Sequence, residues 1–234
     1  MLRRLEHAPE LLDEAHHDRA ELEQSLDQVA EVNRLLGGTR AVLRTLGTVA
    51  ADRRALDILD IGTGSADIPC AIDRWALSTG RAVRITATDL HPQMLEIATA
   101  RTRDHPMIRV ERADALSLHY EPNSFDVVLL SLTLHHFEHD DQVRALREAG
   151  RVARLAVVVN ELERCLPNYI GARLLAATRW RSNRLTRHDG PLSVLRAFTK
   201  DELANVAVEA GLRVVSLRRF FFHRLVLTAG PRNA

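Results

Sequence analysis

Residues 58–68 read Ile58-Leu59-Asp60-Ile61-Gly62-Thr63-Gly64-Ser65-Ala66-Asp67-Ile68. An apolar run from Ala55 feeds a strand, Gly62 and Gly64 permit a tight turn, and helical spacing resumes directly behind through Ile68, Ile72 and Trp75. That order lets a ligand lie against bare backbone beside the positive end of a helix dipole. The G-x-G pair by itself is shared by many turns. A pyrophosphate site would extend it to G-x-G-x-x-G, but Asp67 holds the third position and would face a pyrophosphate badly. The G-x-x-x-x-G-K-[ST] phosphate loop is absent too.

Outward from this turn the chain alternates. Further strands are expected at 83–88, 107–111, 125–131 and 155–159, with helices from Pro92 to about Arg103 and through Val143, Leu146 and Ala149. Such alternation predicts βαβ units around a parallel sheet buried on both faces. Upstream, Leu11 to Leu36 recur at threes and fours, predicting helix over roughly 10–50 with a break at Gly37-Gly38. Downstream, a helix is expected from Pro167 to about Leu185, then a loop at 187–191. Thr199 and Glu202 open a further helix as a capping box and Gly211 ends it. Residues 212–217 and 222–227 read as a closing hairpin.

Two acids sharpen the ligand. Asp89 ends the second strand, 25 residues after Gly64, where a carboxylate can accept both ribose hydroxyls. Asp114 follows the third strand, where it can take an adenine amino group. One glycine turn with two acids at successive strand ends describes an adenosine-containing ligand with no phosphate to neutralise. The competing reading makes both aspartates simple caps of the following helices.

With these residues in place the chain resembles the class I S-adenosylmethionine-dependent methyltransferases. The matching stretches are LDIGTGSADIP (59–69), TATDLHPQML (86–95), RADAL (112–116) and FDVVLLSLTLHHF (125–137), in the family's order. The resemblance implies an α/β, Rossmann-like fold: a seven-stranded, mostly parallel sheet with an antiparallel last strand. It implies S-adenosylmethionine as cofactor and S-adenosylhomocysteine as product. It assigns Asp60, Gly62, Thr63 and Gly64 to the methionine part, and Asp89 to the ribose. Leu90 and Met94 are placed near the adenine, Asp114, Ala115 and Leu116 around its amino group, and Ser131 near the amino acid moiety. Ala66 departs from the pattern, since many relatives carry a third glycine there. Residues 1–50 would form a helical cover over a catalytic domain at 51–234, whose helical insertion at about 163–198 acts as a lid.

A narrower similarity, through Asn33 to Arg40, Asn160-Glu161-Leu162 and Arg187 to Phe198, points to a bacterial small-molecule subgroup. Some of its members serve quinone and polyketide-derived phenolic lipid pathways. In that setting Arg34 or Arg40 would reach the cofactor carboxylate.

A sulfonium methyl is already activated, so the enzyme need only align a nucleophile and remove its proton. His135 and His136, after the fourth strand, are base candidates near their reference pKa. His188 and Asp189 form a second pair that a folded lid would bring to the same mouth; as turn formers they need no function. His135 and His139 are four apart, but Glu138 is not where the H-E-x-x-H motif puts it, and no metal is expected. Cys70 reads as core, and neither cysteine suggests a covalent nucleophile.

The 234 residues, 46% hydrophobic and 27% charged, describe an ordinary globular chain. With 32 basic against 31 acidic side chains, no bulk field gathers nucleic acid. No [DNS]-P-P-[YFW] amino-adenine motif follows the fourth strand. Two cysteines cannot build a disulfide framework. No stretch approaches the roughly 20 apolar residues of a membrane span, and the charged start lacks a signal-peptide core. A soluble cytoplasmic protein is therefore expected. Five arginines and no acid lie between Arg173 and Arg187. They suit a solvated face, an acidic or acyl-carrier-bound substrate, or a membrane surface holding a lipid-like one. The expected partner is a small aromatic or lipid-like acceptor methylated on oxygen or carbon. An RNA or protein methyltransferase and a donor-binding module without turnover are the rivals.

Overall fold

The structure is a computed structural model that describes residues 2–231. After a single 3-10 turn at Leu11–Asp13 come helices α1 (Arg19–Leu35) and α2 (Gly38–Val49). The chain then alternates β1 (Ala55–Ile61), α3 (Asp67–Ser78), β2 (Ala82–Asp89), α4 (Pro92–Arg101), β3 (Ile108–Arg112), β4 (Phe125–Ser131), α5 (His139–Val152) and β5 (Ala153–Leu162). It closes with α6 (Leu166–Ala177), α7 (Arg184–Arg196), α8 (Lys200–Glu209), β6 (Arg213–Phe220) and β7 (Arg224–Gly230).

The strands form one sheet in the order β3-β2-β1-β4-β5-β7-β6. β1 to β5 run parallel, and β7 lies antiparallel to both its neighbours. The expected seven-stranded Rossmann-like sheet is therefore present. Alternation along each strand sends residues to two cores. Leu59, Val128 and Val157 join one cluster with Leu146 of α5 and Leu203 of α8. Ile58, Leu129 and Val158 join the other with Val42 of α2 and Ile72 of α3. Burial on both faces is why these strands read as continuous apolar runs.

Local expectation fails at two covering segments. The first long helix starts at Arg19, not near residue 10, because Asp18 caps it by accepting from Glu21 N at 2.9 Å. The expected loop at 187–191 lies inside α7, although it contains Gly190 and Pro191. Asn183 caps that helix through Thr186 N at 3.0 Å. Trp180 packs over Gly190, where a Cβ would stand 2.3 Å from its ring. Tertiary packing thus outweighs the turn chemistry of a Gly-Pro pair. The break falls earlier, between Ala177 and Arg184. Among the described residues no helix is long and apolar enough to cross a membrane.

Candidate active site

Sheet order reverses between β1 and β4, and there the strand ends open into a cavity of about 990 Å³. Helices α1, α6 and α7 roof it. At its floor Gly62 adopts φ +70°, and a Cβ there would meet Thr133 Cγ2 at 2.5 Å, so only glycine fits. Ala66 stands in the left-handed region at φ +59°, a conformation that costs an alanine about 1–2 kcal/mol. A third glycine would avoid that cost.

Asp89 is oriented by backbone. Gly64 N donates to its Oδ2 at 2.9 Å and His91 N to its Oδ1 at 3.0 Å, and the carboxylate still lines the cavity with acceptor capacity to spare. Asp114 accepts from Leu116 N at 2.9 Å. Leu90, Met94, Asp114, Ala115 and Ser131 all border the same space as Asp60 and the Gly62–Gly64 loop. Leu116 does not: its side chain packs against the core beneath α5. Arg40 is exposed on the first turn of α2, outside the cavity, and cannot serve there as expected.

A different guanidinium occupies the floor. Arg224, which opens β7, is buried and borders the cavity. Its Nη2 donates to Asn33 Oδ1 at 3.1 Å, and Asn33 Nδ2 in turn donates to Asp67 at 3.4 Å. Arg224 Nη1 has no partner among the described residues. Burial pulls this guanidinium down to about 10, against the pull of Glu161 and Asp67. Burial pushes Asp67 up, and it pushes Asp60 up to about 7, with the Asp67 and Asp89 charges adding to it. A cluster of acids with one unpaired cation suits a ligand carrying positive charge and one carboxylate. The bare glycine turn, the oriented Asp89 and these charges fit S-adenosylmethionine.

Toward the roof lies a second polar cluster. His135 Nδ1 is 2.7 Å from Glu161 Oε2, and Glu161 Oε1 also accepts from Leu134 N at 2.8 Å. Burial works to raise the Glu161 pKa, but the charge and hydrogen bond of His135 outweigh it and hold the carboxylate below its usual range. His135 Nε2 is left 3.7 Å from Glu10 Oε1. His136 Nδ1 bonds Asp13 at 2.9 Å. Burial opposes its charge, yet Glu10 and Asp13 push His136 up to about 9, so it is a fixed cation near neutrality. Arg196 donates to the backbone carbonyls of His135 and His136, at 3.0 and 2.8 Å, which locks the turn.

The second expected pair has another use. Asp189 accepts from Leu11 N at 2.8 Å and Leu12 N at 2.9 Å, tying the first 3-10 turn to α7. His188, half exposed, bonds Asp189 at 2.7 Å and does not line the cavity. His139 turns away to Glu209 at 3.0 Å, so it is not grouped with His135. Instead Glu10, His135 and His136 bring polar atoms within 4.8 Å of one another, with the charged His136 facing the Glu10 carboxylate. Ser193 Oγ already lies 3.0 Å from both Glu10 oxygens, and Arg196 Nε stands 3.9 Å away.

Glu10, Asp13, Glu161, Arg196 and Arg224 carry much of this electrostatics and were not assigned roles from sequence. Only Glu161 and Arg196 left a signal, in the Asn160-Glu161-Leu162 and Arg187-to-Phe198 stretches.

Residues 58–155 match a family described as a methyltransferase domain. Demethylmenaquinone methyltransferase of Staphylococcus aureus is 30% identical over 110 residues, 45% of this chain and 45% of that protein. The chain thus spans about half the length of the curated relatives it matches. Among solved structures, an S-adenosylmethionine-dependent methyltransferase from Aquifex aeolicus superposes with a TM-score of 0.66 at 16% identity, over 92% of this chain and 98% of that one. An O-methyltransferase family 2 protein from Planctomyces limnophilus, complexed with apigenin, gives 0.64 at 16% identity, over 94% and 63%. Fold, glycine turn and matched domain agree: residues 58–155 are a methyltransferase domain, and together they support a class I S-adenosylmethionine-dependent methyltransferase.

Proposed function

We propose that the protein transfers the methyl group of S-adenosylmethionine to an oxygen, or a carbon, of a small aromatic, quinone- or polyketide-derived or lipid-like acceptor. The observation that carries this reading is the His135–Glu161 pair, 2.7 Å apart at the wall of a large and mainly apolar cavity. About 990 Å³ is at the upper end of small-molecule sites, room for the donor and a second molecule.

The bound donor supplies a methyl carbon already activated by its sulfonium. Asp89 holds the ribose hydroxyls, and Asp60 and Asp67 face the ammonium group. Arg224, in place of Arg40, takes the carboxylate through its unpartnered Nη1. His135 accepts the acceptor's proton at Nε2 while Glu161 holds Nδ1 and stabilises the resulting imidazolium. His136, already charged, is not the base. The apolar roof excludes water, and α1, α6 and α7 act as cover and lid. Relatedness to demethylmenaquinone methyltransferase supports a quinol or phenol as the acceptor class. The free thiols of Cys70 and Cys165 agree with a cytoplasmic location.

The test is direct. Purified protein is incubated with S-adenosylmethionine and a panel of alkylphenols, resorcinols and hydroquinones, and S-adenosylhomocysteine and methylated acceptor are read by mass spectrometry. Stoichiometric formation of both supports the reading. Donor binding without turnover across the panel would favour the non-catalytic rival. Asp89→Ala should weaken donor affinity in calorimetry by about a hundredfold, since each charged hydrogen bond is worth about 1.5–3 kcal/mol. Unchanged affinity would remove Asp89 from the ribose.

A further inference from the structure

Six of the twelve large apolar side chains left exposed among the described residues belong to one end of the molecule: Leu35, Leu166, Ile170, Leu174, Phe221 and Phe222. Leu166, Ile170 and Leu174 recur every four residues, a single stripe along α6. Phe222 packs on that helix, since a Cβ at Gly171 would stand 3.2 Å from its ring. Phe221 packs beside the α1–α2 junction, with its Cβ 3.7 Å from where one on Gly37 would stand, two residues past Leu35. The three elements therefore share one apolar surface.

Burial does not account for it. Phe221 is 72% exposed and Leu35 62%, large apolar groups turned to solvent at a turn and a helix end. The turn at 221–223 holds Phe222 and His223 at φ +54° and +52°, positions where glycine or asparagine is the unstrained choice. The hairpin turn itself asks for positive φ, and non-glycine residues held there carry a cost that is commonest at functional segments.

The surface is also the rim of the cavity. Leu174 and Phe222 are exposed at the patch and line the cavity wall, and Gly171 borders the same opening. The apolar patch is therefore continuous with the cavity lining.

Charge around the patch has one sign. No acid occurs from residue 164 to residue 188. Arg34, beside Leu35, and Arg173, beside Leu174, are exposed and make no ion pair among the described residues. Of the arginines farther along, Arg179 bonds Glu31 at 2.8 Å and Arg184 lies 3.8 Å from Glu21, while Arg181 and Arg187 are exposed with no acid partner among the described residues. Unpaired cations thus flank the apolar stripe, and α1 neutralises only part of the arginine-rich stretch beyond it.

We propose that this end of the molecule docks on an anionic lipid bilayer, with Phe221, Ile170 and Leu166 entering the interface and Arg34 and Arg173 facing acidic headgroups. Apolar insertion ringed by basic residues is the combination that holds a protein at such a surface. Docking sets this rim of the cavity against the bilayer, so that a lipid-like acceptor enters from the membrane. The inference rests on the proposed function for the identity of that acceptor, but the surface itself is tested without turnover.

The full chain is sedimented with vesicles of phosphatidylcholine alone and of phosphatidylcholine with phosphatidylglycerol, and S-adenosylhomocysteine affinity is measured in parallel. Binding to the anionic vesicles is expected, with at least a tenfold loss in the Ile170→Ser/Phe221→Ser variant and unchanged S-adenosylhomocysteine affinity, neither residue lining the cavity. The Arg34→Gln/Arg173→Gln variant, which leaves the apolar surface intact, should lose most of the preference for anionic lipid. Absence of binding to either vesicle overturns the proposal, as does a wild-type dimer by light scattering that the serine variant converts to monomer. Vesicle binding by a protein without donor affinity would sink the proposed function and leave the docking face standing.

Discussion

Glu161 on β5 and His135 in the turn after β4 meet at 2.7 Å, both buried, because β4 and β5 are neighbours and their ends rise together. The carboxylate also accepts from Leu134 N, so it fixes both the ring and the turn that carries it. An imidazole held this way, if it is the base proposed above, is aligned before an acceptor arrives.

His135→Ala should lower kcat by about 10²–10⁴, the range of a positioned acid–base group, and leave donor affinity within about twofold. Glu161→Gln should produce a smaller fall in kcat with the same unchanged affinity. Steady-state turnover alongside calorimetry checks both. A parallel loss of donor binding would make the pair structural.

Donor affinity should depend on pH through Asp60. Burial puts its carboxyl at about 7 in the free protein, and a cationic ligand favours the ionised form. Affinity therefore rises as pH climbs through 7 and falls below it. Between pH 6 and 7.5 the ionised fraction grows enough for a gain of up to about eightfold. Asp60→Asn should flatten the profile in calorimetry across that window.

Arg224 should discriminate by carboxylate. Arg224→Met is expected to weaken S-adenosylhomocysteine by tenfold or more, a charged hydrogen bond being worth about 1.5–3 kcal/mol. Methylthioadenosine, which lacks the amino acid end, should bind the variant and the wild type alike. An equal loss for both ligands would mean that Arg224 supports the floor without contacting the donor.

Gly190→Ala tests the packing that makes α7 a helix. The added methyl would lie 2.3 Å from the Trp180 ring, and overpacking of this kind costs about 1–3 kcal/mol. A drop in melting temperature of several degrees is expected. An unchanged transition would show that Trp180 yields freely.

The α/β alternation, the glycine turn and the acids Asp89 and Asp114 were legible in the chain because their signals are local. A buried strand must be apolar, a left-handed turn asks for glycine, and a strand-end carboxylate follows at a spacing set by one βα unit. The same locality explains the misreadings. Gly190-Pro191 looks like a turn until Trp180 is laid over it, and Arg40 looks available until α2 turns it to solvent. Arg224 gave no signal at all, since nothing in residues 220–228 announces that β7 inserts beside β5 and carries a guanidinium to the cavity floor. Glu10, near one end of the chain, reaches His135 and His136 only when the 3-10 turn is drawn against α7 by Asp189. Sequence determined the glycine-turn cradle between β1 and α3. Tertiary structure decided which charges surround it, because electrostatic partners are chosen by distance in space, and that distance is written in sheet order and helix packing.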